Sequence, residues 1–476
     1  MIHDLKPYPA MKDSGVPWLG QVPEHWEVTR SKWLFSSSKA LALPDDVQLS
    51  ATQAYGVIPQ DEYERRSGAR VVKISMHLDK RKHVEKDDFI ISMRSFQGGL
   101  ERAWASGAIR SSYVVLKPGP GVNVGCFSYL LKSHDYIRAL QTTGGFIRDG
   151  QDLTESDFRK VDLPLIPLDE QAAIVRFLDH ADRRIRRTIA GKQRLIKLLQ
   201  EQKQVIIHQA VTRGLNPDAK LKPSGVEWLG DVPEGWEATS FTRCTIERAD
   251  YRGATPAKTE AGIFLVTAKN VRRGWIDYEA SKEYIAEDDY ALVMRRGLPK
   301  LGDLLFTTEA PLGHAALVDR EDVALAQRVI RFRFDPERCN PEFILRAVLS
   351  PYFQRQVLRR GTGSTALGIK ASKLPELFLL LPPLDEQESI LAHILVQTMS
   401  LDSGAERTAQ EIALLREYRT RLIADVVTGK LDVREAVAAL PDLDAEPLPA
   451  DPELEDGDLE GEDTEAEADT GEMVEA

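Results

Sequence analysis

The chain has 476 residues, 42% hydrophobic and 29% charged, which is apolar enough to fold and too long for one ordinary core, so about three domains are expected. Cys126, Cys244 and Cys339 lie far apart with no CxxC spacing, no apolar run reaches the ~18 residues of a membrane helix, and the first residues show no charged-then-apolar leader; a disulfide framework, a Cys-rich zinc site and a membrane protein are excluded, and a cytoplasmic protein is expected. The formal net charge of -12 belongs to one end, because residues 441–476 hold 16 Asp or Glu and no Lys or Arg, and without them 62 basic residues face 58 acidic ones, a balance compatible with nucleic acid.

In chain order, the first feature is Ser14 to Arg30, SGVPWLGQVPEHWEVTR, which returns from Ser224 to Ser240 as SGVEWLGDVPEGWEATS with twelve of 17 positions identical. Its tryptophans, Trp18 and Trp26, then Trp228 and Trp236, read as a packing latch rather than a base-stacking platform. A mixed region follows, with strand candidates at 69–74, 88–93 and 112–116 and a helix candidate at 124–141. PLDEQ at Pro167 to Gln171 opens a long helix, with Pro167 before it, Asp169 as cap and Glu170 as first-turn charge. Ile174, Leu178, Ala181, Ile185, Ile189, Ile196, Leu199, Ile206 and Ala210 form one apolar seam, ended by Gly214 and Pro217.

The second copy repeats this order. Strand candidates fall at 262–267, 303–307 and 328–334, and a helix candidate at 341–358. PLDEQ recurs at Pro383 to Gln387, and Ile390, Ile394, Leu401, Ala405, Ile412, Leu415, Leu422 and Val426 make a second seam ending near Gly429. The offset stays at 216 from PLDEQ to the helix ends, so neither copy carries an insertion there. Each helix of about 40 residues would reach roughly 60 Å. One seam on so long a helix calls for a partner, and the other copy supplies it. Lys192 and Thr408 fall on the seams as polar register markers. The expected segments are 1–160, 161–216 (helix), 217–376, 377–435 (helix) and an acidic tail at 436–476. Similar anchors around divergent interiors suggest one α/β (α+β) fold carrying two different recognition surfaces.

Catalytic signatures fail. Gly363 to Lys370 has Ile369 where a phosphate loop needs Lys, there is no HExxH, and Asn340-Pro341-Glu342-Phe343 lacks the second proline of an amino-methyltransferase motif. Polar and basic clusters recur in both interiors. The first gives Lys80, Lys82, Arg94, Ser95 and Gln97. The second gives Arg252, Thr255, Lys269, Asn270, Arg272, Thr307, Gln327, Arg328, Arg360 and Ser364. Arg reads guanine, Asn and Gln read adenine, and Gly-rich turns offer N–H groups to phosphates. Any one cluster alone is explained by a solvated surface; recurrence favours DNA contact. Arg94, Gln97, Lys269, Asn270 and Gln327 are the residues expected nearest base edges. A scaffold with inert interiors, and an enzyme fusing recognition to cleavage, are the alternatives.

SGVxWLGxVPExW before each interior, PLDEQ opening each helix, and AVTRGL (Ala210 to Leu215) and VVTGKL (Val426 to Leu431) closing them resemble the specificity subunit of type I restriction-modification systems. In the second interior the resemblance runs from Arg252-Gly-Ala-Thr-Pro256 through Ala268-Lys-Asn-Val271, Gly302-Asp-Leu-Leu305 and Ser350-Pro-Tyr-Phe353 to Gly363-Ser-Thr365, and overall it covers nearly all of residues 10–435. It implies a non-catalytic subunit with two target-recognition domains separated by two long antiparallel coiled-coil helices. Each domain would read half of a split, asymmetric site on double-stranded DNA. The helices would set the unread spacer and dock methylation subunits, two in number, with restriction subunits joining that core. The resemblance implies no cofactor on this chain: S-adenosylmethionine, ATP and Mg belong to the partner subunits.

The tail is outside that resemblance. It has no aromatic residue and no apolar period, so it is expected to be disordered, either as a solubilising segment or as a polyanion competing with DNA. Deleting residues 441–476 should leave the thermal midpoint unchanged within error in calorimetry, and a large drop would refute this reading.

Overall fold

The computed structural model describes residues 5–71, 80–92, 95–143, 153–226, 229–251, 256–363 and 367–441. Of the strand expected at 69–74 only 69–71 are described, and they form no strand; of the tail expected at 436–476 only 436–441 are described, and there the helix Arg434–Ala438 packs against the first core, so the tail expectation is corrected at its start. Two compact units form, one from Met1–Gln193 with Ala409–Ala476, the other from Arg194–Thr408. The division between them falls inside both long helices, α1 (Leu168–Arg213) and α2 (Leu384–Val427).

Each unit holds a four-stranded antiparallel sheet. In the first, β1 (Phe35–Ser38), β2 (Phe89–Ile91), β3 (Glu101–Arg102) and β4 (Val114–Pro118) lie in the order β1-β4-β2-β3. In the second, β5 (Thr245–Asp250), β6 (Leu304–Thr307), β7 (Ala315–Leu317) and β8 (Val329–Phe334) lie as β5-β8-β6-β7, the same topology. The expected strands at 88–93, 112–116, 303–307 and 328–334 are therefore the centres of the two sheets, and 262–267 contributes Ile263–Val266 to a smaller three-stranded sheet.

Both helix expectations are corrected by a break. The 124–141 segment is two helices, Val124–Leu130 and His134–Thr143, because Ser133 turns the chain and its hydroxyl bonds Leu130 O at 2.7 Å. The 341–358 segment is Pro341–Leu349 and Pro351–Arg360, with Ser350 extended (φ -74°, ψ 154°), as a residue preceding proline prefers.

The long helices pack antiparallel. In the first unit Lys192 pairs with Glu411 and Arg419 with Asp182; in the second Lys203 Nζ bonds both Asp402 oxygens at 2.6 and 2.7 Å. Thr408 is buried on the seam, with its hydroxyl returned to Gly404 O at 2.7 Å. Every seam residue named from the sequence is buried or half-buried.

The repeated motifs explain how each sheet is fixed to its helix. Glu170 is buried in the first turn of α1. Its Oε2 accepts from Trp26 Nε1 and Tyr8 OH, both at 3.0 Å, and its Oε1 lies 2.5 Å from His25 Nε2. In the second unit Glu386 Oε1 accepts from Trp236 Nε1 at 3.0 Å. Trp26 and Trp236 are buried, so both act as latches. The adjacent glutamines hold the recognition sheets' flanking helices. Gln171 Oε1 accepts from Asn123 N (2.6 Å) while its Nε2 donates to Gly121 O and Ile166 O (2.9 and 2.7 Å). Gln387 does the same with Asn340 N, Arg338 O and Pro382 O (2.8, 2.8 and 2.9 Å). Asn123 and Asn340 in turn cap the helices that follow them.

Gln387→Ala would orphan one buried donor and two acceptors together, so it should cost about 1–3 kcal/mol, read as a lower urea midpoint with unchanged slope. A midpoint equal to wild type would show that water replaces the amide without penalty.

Candidate nucleic-acid interface

In the second domain, turns at one edge of the sheet are tied to one another. Thr308 N donates to Arg328 O at 3.0 Å and Ile369 N to Thr308 O at 2.9 Å, while Glu309 and Thr362 both bridge to Gly368. Arg328, at φ 75°, is one of few non-glycine residues in the left-handed region and is exposed beside Glu309, Nε to Oε1 2.9 Å. The loop bearing Lys269 joins the same edge, since His314 Nδ1 lies 3.1 Å from Val271 O and Gly274 N donates to Ala315 O at 2.8 Å. Burial, with Arg273 and Arg272 adding repulsion, holds the His314 imidazole below its ordinary pKa.

The expected contact residues divide into three groups. Lys269 and Arg328 are exposed on this edge, and Gln327 is half-buried beside Arg328. Arg272 faces Asp277 (3.2 Å) and Arg360 faces Glu376 (3.3 Å), pairs that phosphate could reorganise. Asn270 and Thr307 are fully buried, and here the expectation is corrected. Asn270 Oδ1 accepts from Thr267 N and Oγ1 (2.9 and 2.8 Å), and its Nδ2 donates to Asp277 O and Ser281 O (2.8 and 2.9 Å), so the amide shapes the loop and has nothing left for a base. Thr307 Oγ1 is spent on Pro311 O at 2.5 Å. Arg252, Thr255 and Ser364 lie outside the described residues.

In the first domain Lys80 and Gln97 are exposed, the latter on the short helix Ser95–Gly98. Lys82 is half-buried and donates to Tyr113 O at 2.6 Å; burial, then Lys39, lowers its pKa. Ser95 is buried and accepts from Ser92 N at 2.9 Å, a turn-forming role that removes it from the surface. Arg94 lies outside the described residues.

Sequence reasoning missed two exposed aromatics. Trp275 is 57% exposed at the end of the loop that Asn270 braces, between Lys269, Arg272 and Arg273 in sequence and the sheet. Trp104 is 51% exposed with the Arg102 guanidinium 4.2 Å from its ring centre. Aromatics interleaved with cations suit nucleic acid, and the KNVRRGW run carried that signal. Among the described residues no group of three or more His, Cys, Asp or Glu could hold a metal, and no helix is long and apolar enough to cross a membrane.

No protein-family model matches the chain. The MjaVIII type I restriction enzyme specificity subunit of Methanocaldococcus jannaschii is 23% identical over 427 residues, covering 87% of this chain and 95% of that one. The EcoBI specificity subunit of Escherichia coli is 24% identical over 280 residues, 56% of this chain and 58% of its own. A chain from a structure concerned with complex assembly and conformational transition of the type I R-M system shares the fold, with TM-score 0.58 and 16% identity over 86% of this chain and 99% of the other. Over nearly its full length the chain is similar to the specificity subunits of type I restriction-modification systems, with which it shares the fold.

Proposed function

We propose that this chain reads a bipartite, asymmetric site on double-stranded DNA, one half through each recognition domain. The observation that carries this is a pair of sheets with one topology, latched by the same Glu and Gln, whose surfaces differ. Lys80, Lys82 and Gln97 face DNA in the first domain; Lys269, Arg272, Gln327, Arg328 and Arg360, joined by Trp275, do so in the second. Cations on phosphates supply salt-dependent affinity, and the residues that reach base edges supply sequence.

The paired helices set the unread spacer. They also dock two methylation subunits, for which the exposed Leu195, Leu198 and Val205 of α1 offer an apolar stripe that a monomeric coil has no reason to leave in water. Restriction subunits join that assembly. The chain performs no chemistry of its own: S-adenosylmethionine, ATP and Mg are held by its partners, in the cytoplasm.

Exchanging residues 27–160 for those of another specificity subunit should change one half of the methylated motif and leave the other, read by genome-wide adenine-methylation mapping. Change in both halves would refute modular reading. In the assembled methyltransferase, Arg328→Ala or Lys269→Ala should either relax one position at a cost of about 1–3 kcal/mol or, for a phosphate contact, weaken all sequences alike and lower the salt slope by about 1. Asn270→Ala should instead lower the thermal midpoint of the chain. Normal DNA binding and unchanged motif for both cation variants would remove this edge from the interface.

A further inference from the structure

The first domain buries a cation to which the described fold gives no partner. Arg81 is 6% exposed, and its guanidinium forms no hydrogen bond or ion pair among the described residues. Its backbone is fixed, with Arg81 O accepting from Ala42 N at 2.9 Å. The strands Lys82–Val84 and Gly107–Ile109 pair antiparallel with Ile109 opposite Lys82, which brings Arg110 opposite Arg81 on the same face. Burial, then repulsion from Arg110, push the Arg81 pKa down, yet an arginine stays charged near neutral pH. A buried charge with a like charge across from it is costly unless something outside the fold completes it.

The second domain shows that the topology does not require this pair. Leu116 and Phe332 occupy matching places, facing Phe89 and Leu304, so by the same count Arg110 answers to Ala326, which is buried in an apolar cluster. The exposed Ser111 and Ser112 then stand where the second domain has Gln327 and Arg328, at its candidate reading edge. Ser38, the last residue of β1, faces Val115, so the exposed Lys39 leaves the sheet at this same end. Two carboxylates near these cations are already engaged, Asp46 by His83 Nδ1 and Leu43 N, both at 2.8 Å, and Glu155 by Arg159.

We propose that Arg81, with Arg110 across from it, clasps one backbone phosphate of the DNA at the foot of the Ser111–Ser112 turn and so seats that turn on the first half-site. The inference rests on the bipartite reading proposed above. Arginine forks match phosphate oxygens bidentately. The phosphate supplies the counter-charge that Arg81 lacks, and it turns a repulsive cross-strand pair into a bridged one. The unbound chain carries the cost of the uncompensated charge and binding relieves it, so the contact adds affinity and register without sequence preference.

The test pairs Arg81→Met, which keeps an apolar stem and removes the charge, with Arg81→Lys, which keeps the charge. Because the charge has no partner in the unbound chain, the urea midpoint of Arg81→Met should equal or exceed that of wild type. In the assembled methyltransferase Arg81→Met should bind duplexes with and without the site about tenfold more weakly. Its salt slope should be lower by about 1, with the methylated motif unchanged, and Arg81→Lys should retain the wild-type slope. A methylphosphonate moved along the first half-site should weaken wild type at one position and leave Arg81→Met indifferent there, which identifies a backbone phosphate. A lower midpoint for Arg81→Met would reveal an internal partner and overturn the proposal, as would equal salt slopes for wild type and Arg81→Met. Equal slopes with a wild-type midpoint raised by inorganic phosphate would assign the site to a free anion instead. Absence of salt-dependent duplex binding by the wild-type complex would remove the bipartite reading itself, a separate failure.

Discussion

Everything else in this molecule hangs on a pair of neighbouring side chains in the first turn of each long helix. A buried carboxylate is tolerated only when donors replace its lost water. Glu170 finds them in Trp26, Tyr8 and His25, and the half-buried Glu386 finds Trp236. The next residue, Gln171 or Gln387, uses both ends of its amide on backbone groups of the recognition domain. One residue therefore grips the segment before the sheet and the next grips the helix after it. That two-residue grip orients a domain on its helix with little dependence on what the domain's loops contain.

Freed from that task, the interiors have diverged even in their cores. Phe89 pairs with Leu116 in the first sheet and Leu304 with Phe332 in the second, so Val115 and Arg331 occupy matching places. Val115 packs in an apolar cluster with Leu49, Val57, Val84 and Ile90. Arg331 is completely buried and bonds Asp303 Oδ2 at 2.8 Å and Glu247, while Arg333 meets the same two carboxylates. Tyr251 and Arg333 then hold the carbonyls of Gly297 and Leu298. A charged knot thus fixes a loop in one domain where hydrophobic packing suffices in the other. Breaking one partner of such a knot strands a buried charge, which ties that loop to the sheet beneath it.

The frame was legible because its signals are local and repeated. Seam periodicity, the PLDEQ start and the VPExW tryptophans each state a physical need that recurs one copy later. The strands of both sheet centres were legible as short apolar runs. The helix breaks at Ser133 and Ser350 were not, since the flanking periodicity continues across them. Among contact residues, residue type alone misled. Asn270 has the chemistry to read adenine, but four internal hydrogen bonds consume it. Trp275, five residues on, was not singled out and is exposed. Which polar groups remain available depends on loop hydrogen bonding between residues distant in sequence, and spacing does not reveal it.

The division of the chain into units has a consequence for synthesis. The second unit, Arg194–Thr408, is one uninterrupted stretch, whereas the first needs both ends: Leu422, Val426, Val427 and Val433 share a core with Trp26, Leu178 and Ala181. As the chain leaves the ribosome, the earlier-made recognition domain must wait, its half of the α1 seam uncovered, until more than two hundred further residues have followed it. The later-made unit has all its partners first. A messenger cut short just after Thr408 would therefore yield a complete second domain attached to a first one that lacks its closing helix, and quality control would act on the end of the protein that was translated earliest.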